Sequence, residues 1–174
     1  YPGVDAMVTH AEITSESRPQ ALDEFRTEFH NVIETLPIAL AGWKATAVSF
    51  FGRTDLHNTP TSEEEHAIND DTALGLTGSL LFLAAPDGES GLFLLHEAPP
   101  ENERRPECKH TFNISAQGVE VLGWGIGPNE ILPDRLRRSY SVALGGYTGG
   151  KNGRLSAFRK YLKARFPIQD NDLT

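Results

Sequence analysis

Sulfur is scarce in this chain: one cysteine and one methionine in 174 residues. A lone cysteine closes no internal disulfide, so no disulfide framework holds the fold together. No apolar run approaches the roughly 18 residues of a membrane-spanning helix, and neither an internal repeat nor a low-complexity tract is visible. The sequence opens at Tyr1 without methionine and without a basic-then-apolar leader. That reads as a processed chain or an excised domain whose compartment is not written in it, and the expectation is a soluble protein. What is present is ordinary: 39% apolar and 23% charged residues exclude collagenous, coiled-coil and wholly disordered classes. A domain of this length buries about two-thirds of its unfolded surface and needs no metal to fold. One compact domain over 1–174 is expected, with 1–16 an irregular arm and 167–174 a tail.

Charge is unevenly placed. The net charge of −8 conceals seven Lys/Arg against 21 Asp/Glu in residues 1–130, then nine against one in 131–165. Such an asymmetry marks either a surface for a polyanion or a basic segment that pairs with the acidic rest of its own domain.

Hydrophobic patterning predicts the elements. Ser17 and Gln20 have capping-box spacing, and Leu22, Phe25, Phe29, Val32, Ile33 and Leu36 recur at helical intervals until Pro37, predicting an N-terminal helix. Residues 44–51 are β-branched and aromatic and read as a strand. The acidic stretch 52–76 reads as a solvated loop with one short helix. Residues 79–85 and 91–96 are apolar on both faces and joined by Pro86-Asp87-Gly88-Glu89-Ser90, which predicts a central hairpin covered on each side. With 109–115 and 119–126 they form an expected four-strand meander. A further strand over 139–144, a glycine loop over 145–153 and a C-terminal helix over 154–166, with Leu155, Phe158, Leu162 and Phe166 as its apolar face, complete the chain. The expected fold is therefore α+β: a four- or five-stranded, mostly antiparallel sheet packed against an N-terminal and a C-terminal helix.

Three sequence features carry chemistry. Residues 145–152 (GGYTGGKN) match most of a P-loop, but Asn152 stands where a Mg²⁺-binding hydroxyl belongs and too little chain follows, so no nucleotide cofactor is expected. The physical content that survives is an anion site: Gly149 and Gly150 expose backbone N–H groups at a helix start, and Lys151, Arg154 and Arg159 add charge. Arg135, Arg137, Arg138 and Lys163 widen the field. The second feature is His96 with Cys108 and His110. If 91–96 pairs with 109–115, the histidines become neighbours able to do acid/base work or, with Cys108, to hold zinc. The third is the acidic stretch 55–71 with Glu63, Glu64 and Glu65, able to dock a basic partner. His10-Ala11-Glu12 lacks the cysteine pair of a zinc deaminase, and Asn113-Ile114-Ser115 is a glycosylation sequon inside a predicted strand. The sequence thus points to a binding domain that contacts an anionic partner (phosphate-bearing ligand, nucleic acid or acidic protein surface) through the basic glycine-rich segment. The alternative is a small hydrolase or phosphodiesterase-like effector enzyme using His96, Cys108 and His110, with or without zinc.

Overall fold

The computed structural model describes residues 3–14, 16, 32–50, 61–98, 110–126 and 131–167. About half of these lie in strands. Ten strands form two antiparallel sheets: β1 (Ala6–Ile13), β2 (Val32–Leu36), β3 (Lys44–Phe50), β4 (Thr61–Ala67), β5 (Ala73–Leu76), β6 (Leu80–Ala84), β7 (Ser90–His96), β8 (Phe112–Ser115), β9 (Gly118–Leu122) and β10 (Arg137–Thr148). A single helix among the described residues, α1 (Gly150–Arg165), follows β10. The large sheet has the order β1-β10-β7-β6-β3-β4 and the small one β2-β9-β8-β5.

The expected α+β class is corrected by this arrangement. The chain is mostly β, two sheets and one C-terminal helix, rather than one sheet held between two helices. Residues 17–31 lie outside the described residues. Val32–Leu36, the end of the predicted first helix, is strand β2 and pairs with β9 from Val32↔Leu122 to Leu36↔Val119. Its β-branched pair Val32-Ile33 suits a pleated surface, and cross-strand pairing overrides the helical spacing. The expected irregular arm contains β1, which pairs with β10 from Ala6↔Gly145 to Ile13↔Arg137. Part of the expected acidic loop is strand too: β4 pairs with β3 along its whole length, Lys44↔Ala67 to Phe50↔Thr61, while 51–60 lie outside the described residues. The meander divides, β6 and β7 entering the large sheet and β8 and β9 the small one.

The β6–β7 hairpin takes the central place its sequence predicts, with Leu80↔Leu95 through Ala84↔Gly91 in register. Alternation along these strands feeds two cores. Leu81, Leu83 and Leu94 point between the sheets, where they join Leu40, Ile68, Leu76, Phe112, Ile114, Val119 and Val121. Leu80, Phe82, Phe93 and Leu95 point the other way, toward Tyr147 and the Ala157, Phe158, Tyr161 and Leu162 side of α1. The layers are therefore small sheet, large sheet and helix. Edge strand β4 presents Glu63, Glu64 and Glu65, charges that discourage edge-to-edge pairing with another chain.

Candidate functional site

The glycine-rich segment turns the chain from strand into helix. Gly145 and Gly146 are still part of β10. Gly149, the residue before the helix, has φ 87° and Gly150 has φ 58°, both in the left-handed region where a side chain is strained. Gly153 lies so close under the Thr148 carbonyl that a Cβ there would overlap it. The glycines expected to cradle an anion are thus needed by the turn itself. The Gly150 N–H donates to the Glu89 carbonyl at 3.0 Å. The Glu89 carboxylate stands 3.8–3.9 Å from where a Gly150 Cβ would be, so the negative charge beside this positive helix end is the chain's own. Glu89 is carried by the β6–β7 turn, which Asp87 fastens by accepting from the Glu89 and Ser90 N–H groups at 2.8 and 3.0 Å. Those backbone bonds hold the Asp87 carboxyl below its ordinary pKa.

The helix sorts its cations into two sets. Arg154 points inward and is 7% exposed. Its guanidinium donates to Glu63 at 3.1 Å and Thr46 Oγ1 at 3.4 Å, and lies 4.7 Å from the centre of the Phe82 ring. Arg165 makes a bidentate pair with Glu97 (3.1 and 3.0 Å), which also accepts from the buried Tyr161 hydroxyl. Burial alone would raise the Glu97 carboxyl. Hydrogen bonds from Arg165 and Tyr161 and the charges of Arg165 and Arg138 outweigh it and hold its pKa low. Lys151, Arg159, Lys160 and Lys163 form the second set. All four are exposed, and no carboxylate among the described residues pairs with them. Leu155 and Phe166, expected to face the core, are 36% and 53% exposed on the same outer side; Ala157, Phe158, Tyr161 and Leu162 make the inner face. Of the wider set, Arg135 and Arg138 are exposed, and Arg138 approaches Ser141 Oγ at 3.4 Å.

The histidines occupy separate settings. β7 and β8 belong to different sheets, so the strand pairing that would juxtapose His96 and His110 does not occur. His96 is buried at the end of β7, its Nε2–H donating to the Gly123 carbonyl at 2.9 Å and its ring edge-on to Tyr140. Burial pushes its pKa down, against the opposing effect of the Gly123 bond, and keeps it neutral. His110 lies over Gly75 of the small sheet, where any side chain would collide with its ring. Cys108 lies outside the described residues, among which no three His, Cys, Asp or Glu side chains converge as a metal site. Glu64 and Glu65 of β4 meet His66 and Lys44 at 2.7 and 3.4 Å. Asn113 of the sequon approaches Glu120 at 3.3 Å on β9. No helix of the described residues is long and apolar enough to cross a membrane.

Sequence reasoning missed a cleft of about 550 Å³ at the end of the large sheet, walled by the starts of β1 and β7, the end of β10, Ile38, Trp43 and one side of α1. Its one sequence signal was the glycine pair 145–146, which reads equally well as a loop. No protein family, curated protein or solved structure matches the chain, so the site's own chemistry is the ground for its function.

Proposed function

We propose that the protein is a binding domain whose helix α1 contacts an extended anionic partner through its outer face. One observation carries this reading. Arg154 and Arg165 are consumed by internal carboxylates, whereas Arg159 and Lys163 lie on the outward side of the same helix with Lys151 and Lys160 on its flanks, and no carboxylate among the described residues pairs with these four. From Lys151 to Lys163 these charges are spread over about 18 Å along the helix axis at 1.5 Å per residue, which suits a polyanion better than a single phosphate. Gly149, Gly150 and Arg154, expected at the contact, hold the helix in place instead. The protein's net charge of −8 repels polyanions at long range, so binding depends on this one patch and weakens steeply with salt.

The test is fluorescence anisotropy of a labelled DNA duplex and a labelled polyglutamate peptide across a salt series. Binding of the duplex is expected to give a log–log salt slope of about −3 to −4 for three or four displaced counterions. The Arg159→Glu/Lys163→Glu double variant is expected to abolish it without changing the circular dichroism spectrum. Tighter binding of the peptide than of the duplex assigns the face to an acidic protein surface. Absence of salt-dependent binding to either probe overturns the proposal.

A further inference from the structure

Among the described residues the sheets end in four edge strands, β1 and β4 in the large sheet and β2 and β5 in the small one. An edge offers backbone N–H and C=O groups to any other strand, and proteins blunt it by shortening it or breaking its register. Three of the four are blunted in this way. β1 slips register against β10 between His10 and Glu12, β2 slips against β9 between Val32 and Glu34, and β5 is four residues long. β4 is different. Its seven residues run opposite β3 from Thr61 to Ala67 without a break and include neither proline nor glycine. Ser62, Glu63, Glu64, Glu65 and Ala67 are all exposed, so the strand stands open to solvent. We propose that the outer edge of β4 takes up an extended, lysine- or arginine-rich segment of a partner protein as an added strand of the large sheet.

The backbone supplies the attachment. In an antiparallel pair only every second residue turns its N–H and C=O toward its neighbour, so alternate residues of β4 turn theirs outward. Seven residues at about 3.3 Å each give an edge about 23 Å long. Charge selects the partner. Residues 61–71 hold five carboxylates, Glu63, Glu64, Glu65, Asp70 and Asp71, and no lysine or arginine. Glu63 is engaged by the buried Arg154. Glu64 and Glu65, 64% and 58% exposed, project to opposite faces of the strand beside His66 and Lys44. Exposed pairs of this kind are worth little and yield to a partner's cations. A second copy of β4 on this edge would set glutamates against glutamates, which disfavours self-pairing. A basic strand instead meets a carboxylate on each face. The net charge of −8 draws a basic partner in at long range, the reverse of its effect on a polyanion. This edge and the outer face of α1 are thus opposite in charge and independent of each other.

The experiment is fluorescence anisotropy of the whole chain with a labelled octapeptide of alternating lysine and valine, and with two derivatives N-methylated at every lysine or at every valine. Saturable one-to-one binding of the parent peptide is expected. N-methylation removes N–H groups from one edge of the extended peptide only, so one derivative is expected to bind about tenfold or more weakly and the other to bind as the parent does. The octapeptide of alternating glutamate and valine is expected not to bind. The Glu64→Lys/Glu65→Lys variant is expected to bind the parent about tenfold or more weakly, with the circular dichroism spectrum of the native protein. Should that variant fail to fold, the contrast between the two derivatives on the native protein decides. An equal response to both derivatives, equal affinity for the glutamate peptide, or an unaffected folded variant overturns the proposal. A dimer of the chain that the peptide dissociates shows the edge occupied by a second copy and overturns it as well. The Arg159→Glu/Lys163→Glu variant is expected to keep the contrast between derivatives, and Glu64→Lys/Glu65→Lys to keep duplex binding, so failure here is distinguishable from failure of the proposed function.

Discussion

Arg154 is a full charge held at 8% side-chain exposure, and its position explains the fate of several other residues. A surface ion pair is worth about 0–1 kcal/mol. Removing one partner of a buried pair costs more, because the remaining charge is left uncompensated. Glu63→Ala is therefore expected to lower stability by about 2 kcal/mol, moderated by the 45% exposure of Glu63. Arg154→Ala, which also removes the guanidinium from Phe82, should lower it by about 3 kcal/mol. Urea unfolding of both variants checks this, and a loss below about 1 kcal/mol for Arg154→Ala would show the contact to be incidental. His96 makes a second prediction at this scale. Its folded pKa is lowered, so below the ordinary histidine value the unfolded chain binds more protons than the folded one. Stability is then complete above that value and falls as pH drops through the window beneath it. Urea midpoints between pH 5 and pH 8 are expected to fall toward acid in the native protein and to flatten over that window in His96→Gln. None of this was legible in sequence: Glu63, Phe82 and Arg154 meet only through the fold, and a histidine at a strand end reads the same whether buried or free.

At the scale of elements, legibility followed redundancy of signal. The β6–β7 hairpin could be read because apolar residues on both faces and a Pro/Gly turn point to the same answer. Helix α1 could be read too, although only half of its expected inner face holds: Phe158 and Leu162 pack inward, Leu155 and Phe166 do not. Leu155 and Phe166 fit helical spacing as well as Ala157 and Tyr161 do, and only the direction of packing decides between them. β2 and β4 were unreadable for opposite reasons. The first continues a helical period, and the second carries three consecutive glutamates that its edge position tolerates. The candidate site shares this pattern: its basic residues were found, but which of them face outward depends on Glu63 and Glu97. A prediction belongs to α1 as a unit. Phe158 packs edge-on against Phe82 and Phe93 at 6.2 and 5.8 Å, and Tyr161 is fully buried. A chain ending at Thr148 exposes this whole apolar face and is expected to be insoluble or to bind apolar dyes without saturation. Sedimentation and dye fluorescence of the truncated chain check it, and a soluble, cooperatively folding product would show α1 to be an accessory.

For the whole molecule, the central fact is that two cores share one hairpin, so neither layer is independent of the other. Loss of the helix layer weakens the same β6 and β7 that the small sheet needs. The outermost pairing joins distant parts of the chain, since Ala6 lies opposite Gly145 and Ile13 opposite Arg137. During synthesis β1 leaves the ribosome well ahead of its partner strand, which follows only after more than a hundred further residues. At roughly 5–20 residues per second, β1 waits several seconds with an unpaired edge. Vectorial folding of these strands therefore cannot proceed by adding each in the order it is made; the large sheet is complete only once β10 has emerged to pair with β1.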